Sequence, residues 1–280
     1  MKEKRIDLPL TKNANLALWK VYSDVSSNGK DIFLTHGTFS NRKICMGITE
    51  YLVKRGYNCW ILEWRNHGES SVTDNNFNFE DVANEDIDIA LRYLFEDQRL
   101  NKIDCVTHSG GGLCITLNLL EHPEYTKRIN RMVFFGCQAS GAADNLFRRW
   151  RMIIVKYFGK SLGYLPGKIL KRPHNEDYSI LKHWFRWNLA KEFKNETGRD
   201  YQLEMPKIKI PILAICGTGD TMIAPVQGCQ DYLASFKNPN NKFLVCGINT
   251  GYTEDYNHGR IIYSRSAEKE IYSEVLDWIK

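Results

Sequence analysis

No two of the eight cysteines are spaced C-x-x-C. Cys59, Cys105, Cys137, Cys216 and Cys246 lie in or beside apolar, strand-like runs, and Cys45, Cys114 and Cys229 fall on helix-like segments. That distribution excludes a disulfide framework and a cysteine-based zinc site, and it fits free, buried thiols in a reducing compartment. Long hydrophobic runs are missing too, since no stretch approaches the ~20 apolar residues of a membrane span. The opening Met1-Lys-Glu-Lys-Arg5 lacks the apolar core of a signal peptide. These absences predict a cytoplasmic protein that touches membranes, if at all, from the surface. Internal repeats, low-complexity tracts and Ser/Pro-rich linkers are also absent.

What remains is the composition of an ordinary globule, 43% hydrophobic and 25% charged, over a length of 280 residues that accommodates one large domain or a domain with an insertion. Arg5 to Leu10 and Leu16 to Tyr22 read as a strand hairpin, and Asp31 to Gly37 as an apolar strand ending in a glycine turn. A helix over Asn41 to Arg55 and a strand over Tyr57 to Trp64 follow. Phe79 to Asp97 carries apolar residues at helical spacing. Further apolar strands cover Lys102 to His108, Ile129 to Gly136, Ile208 to Cys216 and Lys242 to Cys246. Helices are expected over Pro225 to Phe236 and, amphipathic, over Ser266 to Lys280. Apolar strands alternating with helices predict an α/β fold with a mostly parallel central β-sheet flanked by helices on both sides, and chemistry at the carboxyl ends of its strands.

One connection breaks the alternation. About 70 residues separate the strand ending near Gly136 from the next, against the ~2 to 6 of an ordinary α/β loop. The spacing therefore predicts a core formed by residues 1–137 and 208–280, with a helical lid inserted as 138–207. From residue 145 to 175 there are eight Lys or Arg (Arg148, Arg149, Arg151, Lys156, Lys160, Lys168, Lys171, Arg172) and no acid. The chain as a whole is +5, so the remainder is net −3 and the basicity is local. A local patch does not suit nucleic-acid binding, which calls for a broader basic face. Interleaved aromatics (Phe147, Trp150, Tyr157, Phe158, then Trp184, Phe185, Trp187) allow two uses: an acyl-chain pocket, and peripheral contact of the cationic rim with phosphate headgroups or an anionic membrane. A solvated basic face over ordinary lid core explains the same residues.

Candidate chemistry centres on Val106-Thr107-His108-Ser109-Gly110-Gly111-Gly112. A serine where a strand turns sharply into a helix has its hydroxyl pushed clear of the backbone, and the small neighbours that such a crossing needs are present. No Lys-Ser or Lys-Thr follows to make a P-loop, and Ile115 stands where a dinucleotide fingerprint needs glycine. Thr107 to Gly111 resembles the G-x-S-x-G nucleophile elbow of the α/β-hydrolase superfamily, with Thr107 in place of the first glycine. The resemblance implies a lid-bearing serine hydrolase of esterase or lipase type, with Ser109 as nucleophile and the chain order Ser, Asp or Glu, His.

Asp220, after the strand ending at Cys216, occupies the acid's place in that order, with Asp144 as the runner-up, and His258, between the last strand and the terminal helix, occupies the base's place. A structural reading of Asp220 is a cap on the helix near Pro225. For the oxyanion the resemblance implies the backbone N–H of Gly110 and one from His36-Gly37-Thr38-Phe39, with Thr38 preferred and Phe39 the alternative. His36 reads as a brace for that turn, Arg65-Asn66-His67-Gly68 as scaffold, and His122, His174 and His183 as surface or helix-end residues. Together these residues and the resemblance imply a serine hydrolase that cleaves carboxylic esters, its substrate a small-molecule ester of acyl or lipid-like type, with no cofactor or metal. The alternatives are acyl transfer or thioester cleavage by the same residues, and a non-catalytic ligand-binding protein on this scaffold.

Overall fold

A computed structural model of the chain describes residues 1–25, 27–73, 76–170 and 173–280. Its centre is an eight-stranded sheet in the order β1-β2-β4-β3-β5-β6-β9-β10. Strands β1 (Lys2–Thr11) and β2 (Ala14–Tyr22) form the expected antiparallel hairpin, with Leu8 opposite Leu16. From β4 onward, β3 (Asp31–Thr35), β4 (Asn58–Leu62), β5 (Ile103–His108), β6 (Ile129–Phe135), β9 (Ile212–Gly217) and β10 (Lys242–Cys246) run parallel. The sheet is mixed through that hairpin, since β2 pairs antiparallel with both β1 and β4.

Strand alternation explains the two cores. Phe33, Trp60, Cys105, Met132 and Phe134 face one side, and Ile32, Leu34, Ile61, Val106, Val133 and Phe135 face the other. The first side is covered by the helix Gly110–Glu121, buried nearly throughout, and by a continuous helical segment over residues 79–97. The helices Met46–Val53 and Tyr272–Ile279 cover the second. All eight cysteines are buried and unpaired.

Three expectations are corrected. The strand expected from Ile208 begins at Ile212, because Pro211 has no N–H to give to a sheet and residues Met205–Lys207 form a 3-10 turn, although Ile208 and Ile210 stay buried. The terminal amphipathic helix is two helices, Arg265–Glu270 and Tyr272–Ile279, with a bend at Ile271 that buries both Ile271 and Tyr272. The 79–97 segment keeps its apolar face but widens into π-type turns over Val82–Ile87 and Tyr93–Asp97.

The long connection between β6 and β9 contains the helix Leu146–Leu162, capped by Asn145 and stopped at Gly163 with φ 76°, and the helix Tyr178–Ala190. Between them β7 (Tyr164–Leu165) pairs with β8 (Glu176–Asp177). Its aromatics divide. Phe185 and Trp187 are buried and Trp184 partly so, in one apolar cluster with the sheet, whereas Phe147, Trp150, Tyr157 and Phe158 face outward. Lys171 and Arg172 lie outside the described residues.

Candidate active site

Ser109 stands between β5 and the helix Gly110–Glu121 at φ 55°, ψ −125°, in the left-handed half of backbone space that a non-glycine residue seldom occupies. Its N–H donates to Phe135 O at 2.8 Å, which ties the turn to β6. The glycines make the crossing possible: a Cβ on Gly111 would lie 2.6 Å from His36 O. Gly112 absorbs the departure at Thr107, because a Cβ there would lie 3.2 Å from Thr107 Oγ1 and 2.4 Å from Cys137 Sγ. Thr107 is tolerated where a glycine is usual because the third glycine leaves space beside it.

His258 and Asp220 reach Ser109 from loops that follow later strands. The turn after β9 packs against the backbone just before His258 so closely that a Cβ on Gly217 would meet Tyr256 O at 2.0 Å. His258 Nε2 lies 2.8 Å from Ser109 Oγ, and His258 Nδ1 lies 2.5 Å from Asp220 Oδ2. Asp220 and His258 are both buried. Burial favours the protonated Asp220 carboxyl, but the charge and hydrogen bond of His258 and the N–H groups of Ala224 and Ile223 outweigh it and hold its pKa below the ordinary aspartate value. Asp144, the alternative carboxylate, is exposed and pairs with Arg148 at 2.6 Å.

The loop after β3 runs against the elbow, so that a Cβ on Gly37 would lie 2.6 Å from Ser109 Cβ and 2.8 Å from Gly110 N. Gly37, next to Thr38 in the chain, therefore abuts Ser109 and Gly110, and among the described residues the N–H groups of Thr38 and Gly110 have no acceptor. The Phe39 N–H is engaged, donating to Glu176 Oε2 at 2.5 Å. His36 is held beneath, with Nδ1 2.7 Å from Gly37 O and Nε2 accepting from Trp64 N–H at 3.2 Å. Burial, then the neighbouring His67, keep it neutral, with a pKa well below the usual histidine value.

Several neighbours give no signal in the sequence. Glu176, buried in β8, also lies 3.1 Å from His67 Nε2. Burial opposes a charge on His67, but Glu176 and the Arg65 carbonyl prevail and raise its pKa. His108 Nε2 lies 2.8 Å from His258 O with the two rings 4.7 Å apart, and so braces His258. Gly136, at φ 58°, leaves room for the His258 ring, since a Cβ would lie 3.2 Å from Nδ1. The other histidines correct the expectation in part. His122 is a helix-end residue, but His183 is buried, with a pKa lowered to about 4 by burial and then by Arg186, and His174 is partly buried against Asn41.

Comparison with known proteins places this geometry. The family model for the serine aminopeptidases, S33, matches residues 27–245. The fold is similar to that of an esterase from Pyrococcus furiosus (TM-score 0.66, 23% identity, 99% of this chain and 90% of that one). It is also similar to an esterase from Thermogutta terrifontis (0.63, 16%, 99% and 98%) and to a monoacylglycerol lipase from Paleococcus ferrophilus (0.65, 15%, 94% and 98%). A probable alcohol acetyltransferase from Cyberlindnera fabianii is 31% identical over 94 residues, 33% of this chain, and the match spans only 24% of that protein's length. The chain belongs to the serine aminopeptidase S33 family, within the α/β-hydrolase superfamily.

Proposed function

We propose that the protein is a serine hydrolase that cleaves carboxylic esters through an acyl-enzyme. The observation that carries this reading is the continuous contact from Ser109 Oγ to His258 Nε2 at 2.8 Å and from His258 Nδ1 to Asp220 Oδ2 at 2.5 Å, at the carboxyl ends of the strands. Ser109 Oγ attacks the ester carbonyl carbon while His258 Nε2 takes its proton. Asp220, kept ionised at neutral pH, fixes the Nδ1–H tautomer and stabilises the imidazolium. The oxyanion is held by the N–H groups of Thr38 and Gly110. His258 returns the proton to the departing alkoxide, and the alcohol leaves. Water, deprotonated by His258, then attacks the acyl-serine to release the acid and restore Ser109. Each step uses only side-chain and backbone groups.

Esters are favoured over amides because two of the structural neighbours are esterases and one a monoacylglycerol lipase. A second reading, transfer of the acyl group to an alcohol in place of water, draws on the local similarity to an alcohol acetyltransferase. Residues 138–207 act as a lid over the site in either case, with Trp187 packed on Phe79 at a ring separation of 5.3 Å.

Steady-state kinetics on nitrophenyl esters from acetate to octanoate test the proposal, with ethanol added to detect transfer and an aminoacyl nitroanilide as the amide control. Ester turnover is expected, and Ser109→Ala should reduce it by about four to six orders of magnitude while thermal unfolding stays cooperative. Turnover of the nitroanilide alone, or undiminished turnover by Ser109→Ala, would refute it.

A further inference from the structure

The helix Leu146–Leu162 is turned inside out. Of its 17 residues only Met152 and Gly159 are buried. Phe147, Trp150, Ile154, Tyr157 and Phe158 are exposed, the first four at 73%, 65%, 66% and 61%. Their spacing of three or four residues stacks them in one stripe along a helix about 25 Å long. Soluble monomers rarely leave a contiguous apolar patch larger than a few hundred Å², on the order of the stripe such a helix carries. The flanks are cationic, with five Lys or Arg and no acid between Leu146 and Leu162. Arg148 is committed to Asp144, and Arg149 donates to Leu189 O. Among the described residues, Arg151, Lys156 and Lys160 form no ion pair.

We propose that this helix seats the protein on an anionic lipid bilayer, with the aromatic stripe at the acyl boundary and Arg151, Lys156 and Lys160 among the phosphates. Charge complementarity selects this occupant. A second copy of the chain would bring two acid-free cationic helices face to face, whereas an anionic membrane supplies both an apolar layer and the opposite charge. The helix runs directly into β7, and β7 pairs with the β8 that holds Glu176 against the oxyanion loop, so the docked face adjoins the catalytic mouth.

Co-sedimentation of the full chain with phosphatidylcholine vesicles, with and without phosphatidylglycerol, tests this without reference to catalysis. The protein should pellet with the anionic vesicles alone and be released at high salt. Two variants, Phe147→Ser with Trp150→Ser, and Arg151→Glu with Lys156→Glu and Lys160→Glu, should each weaken binding more than about tenfold while leaving the melting temperature unchanged. Equal recovery in both supernatants would overturn the proposal. So would binding that both variants retain, or light-scattering evidence of a dimer that the serine variant abolishes.

A separate observation concerns Glu176. It reaches from β8 across the sequence to the Phe39 N–H and to His67, so a buried carboxylate of the inserted segment anchors the loop that carries Thr38. Building on the proposed oxyanion role of Thr38, we infer that Glu176 is a positioning residue for the oxyanion loop. Glu176→Ala should lower kcat about 10- to 100-fold with little change in KM. Glu176→Gln, whose amide oxygen still accepts from Phe39 N–H, should recover most of the rate. Unchanged kcat in Glu176→Ala, with Ser109 still reactive toward a fluorophosphonate in the wild type, would overturn this inference and leave the triad reading intact. Failure of the wild type to react would instead count against the triad itself, and a rate loss that Gln does not restore would reduce Glu176 to a structural role.

Discussion

At the scale of single residues, the buried carboxylates show how position decides protonation. Asp220 is lowered because a histidine faces it, whereas Asp104, at the opposite end of the strands, is pushed up to about 6 because burial outweighs Lys30 and Arg131. Its Oδ1 has no hydrogen-bond partner. A folded-state pKa raised above the unfolded one means that the folded chain binds the proton more tightly. The stability that Asp104 contributes is therefore complete below about pH 4 and lost as pH rises through about 6. Asp104→Asn should have the higher melting temperature at pH 8, by up to about 3 kcal/mol of stability, and the gap should close toward pH 4. Denaturation measured at both pH values checks this. Ser109, Asp220 and His258 stand out in the sequence because each follows an apolar strand and the three keep one chain order. Glu176, His108 and Gly136 do not, because their importance comes from partners 137, 150 and 122 positions away, which no local pattern encodes.

At the scale of elements, strand and helix identity was largely legible, because apolar runs and helical spacing are what burial selects. Their joints were less so. The π-type turns in the 79–97 segment leave its hydrophobic spacing intact, and the widened turn carries Asp86, which together with Glu85 holds Arg65 of the turn after β4 at 2.5 Å. Burial raises Asp86 to about 6 despite that guanidinium, so the joint is strongly desolvated. The elbow is a tight element contact. In Gly111→Ala the new methyl would press on the His36 carbonyl, which is backbone and can yield only if the helix moves away from β3. The variant should lose about 1 to 3 kcal/mol of stability and most of its turnover, measured by denaturant titration and ester kinetics. A neutral result would mean that the helix is free to shift.

At the scale of the whole molecule, the sequence implies a parallel sheet but not its strand order, in which β4 lies outside β3 and the hairpin extends the edge beyond it. That order puts β3 beside β5, which lets the loop that begins at His36 run against Ser109, while β9 and β10, beyond β6, bring Asp220 and His258 in from the other side. The long connection between β6 and β9 is marked in the sequence by its length and charge, but the division of its aromatics into a buried set and an outward stripe is not, since both have helical spacing. The central claim is that this architecture makes one serine hydroxyl nucleophilic. Reaction of the intact protein with a fluorophosphonate, followed by peptide mapping, tests it most directly. A single adduct at Ser109, absent when the protein is unfolded before labelling and formed much more slowly in Asp220→Asn, is the expected result, whereas an adduct elsewhere, or none, would contradict the account.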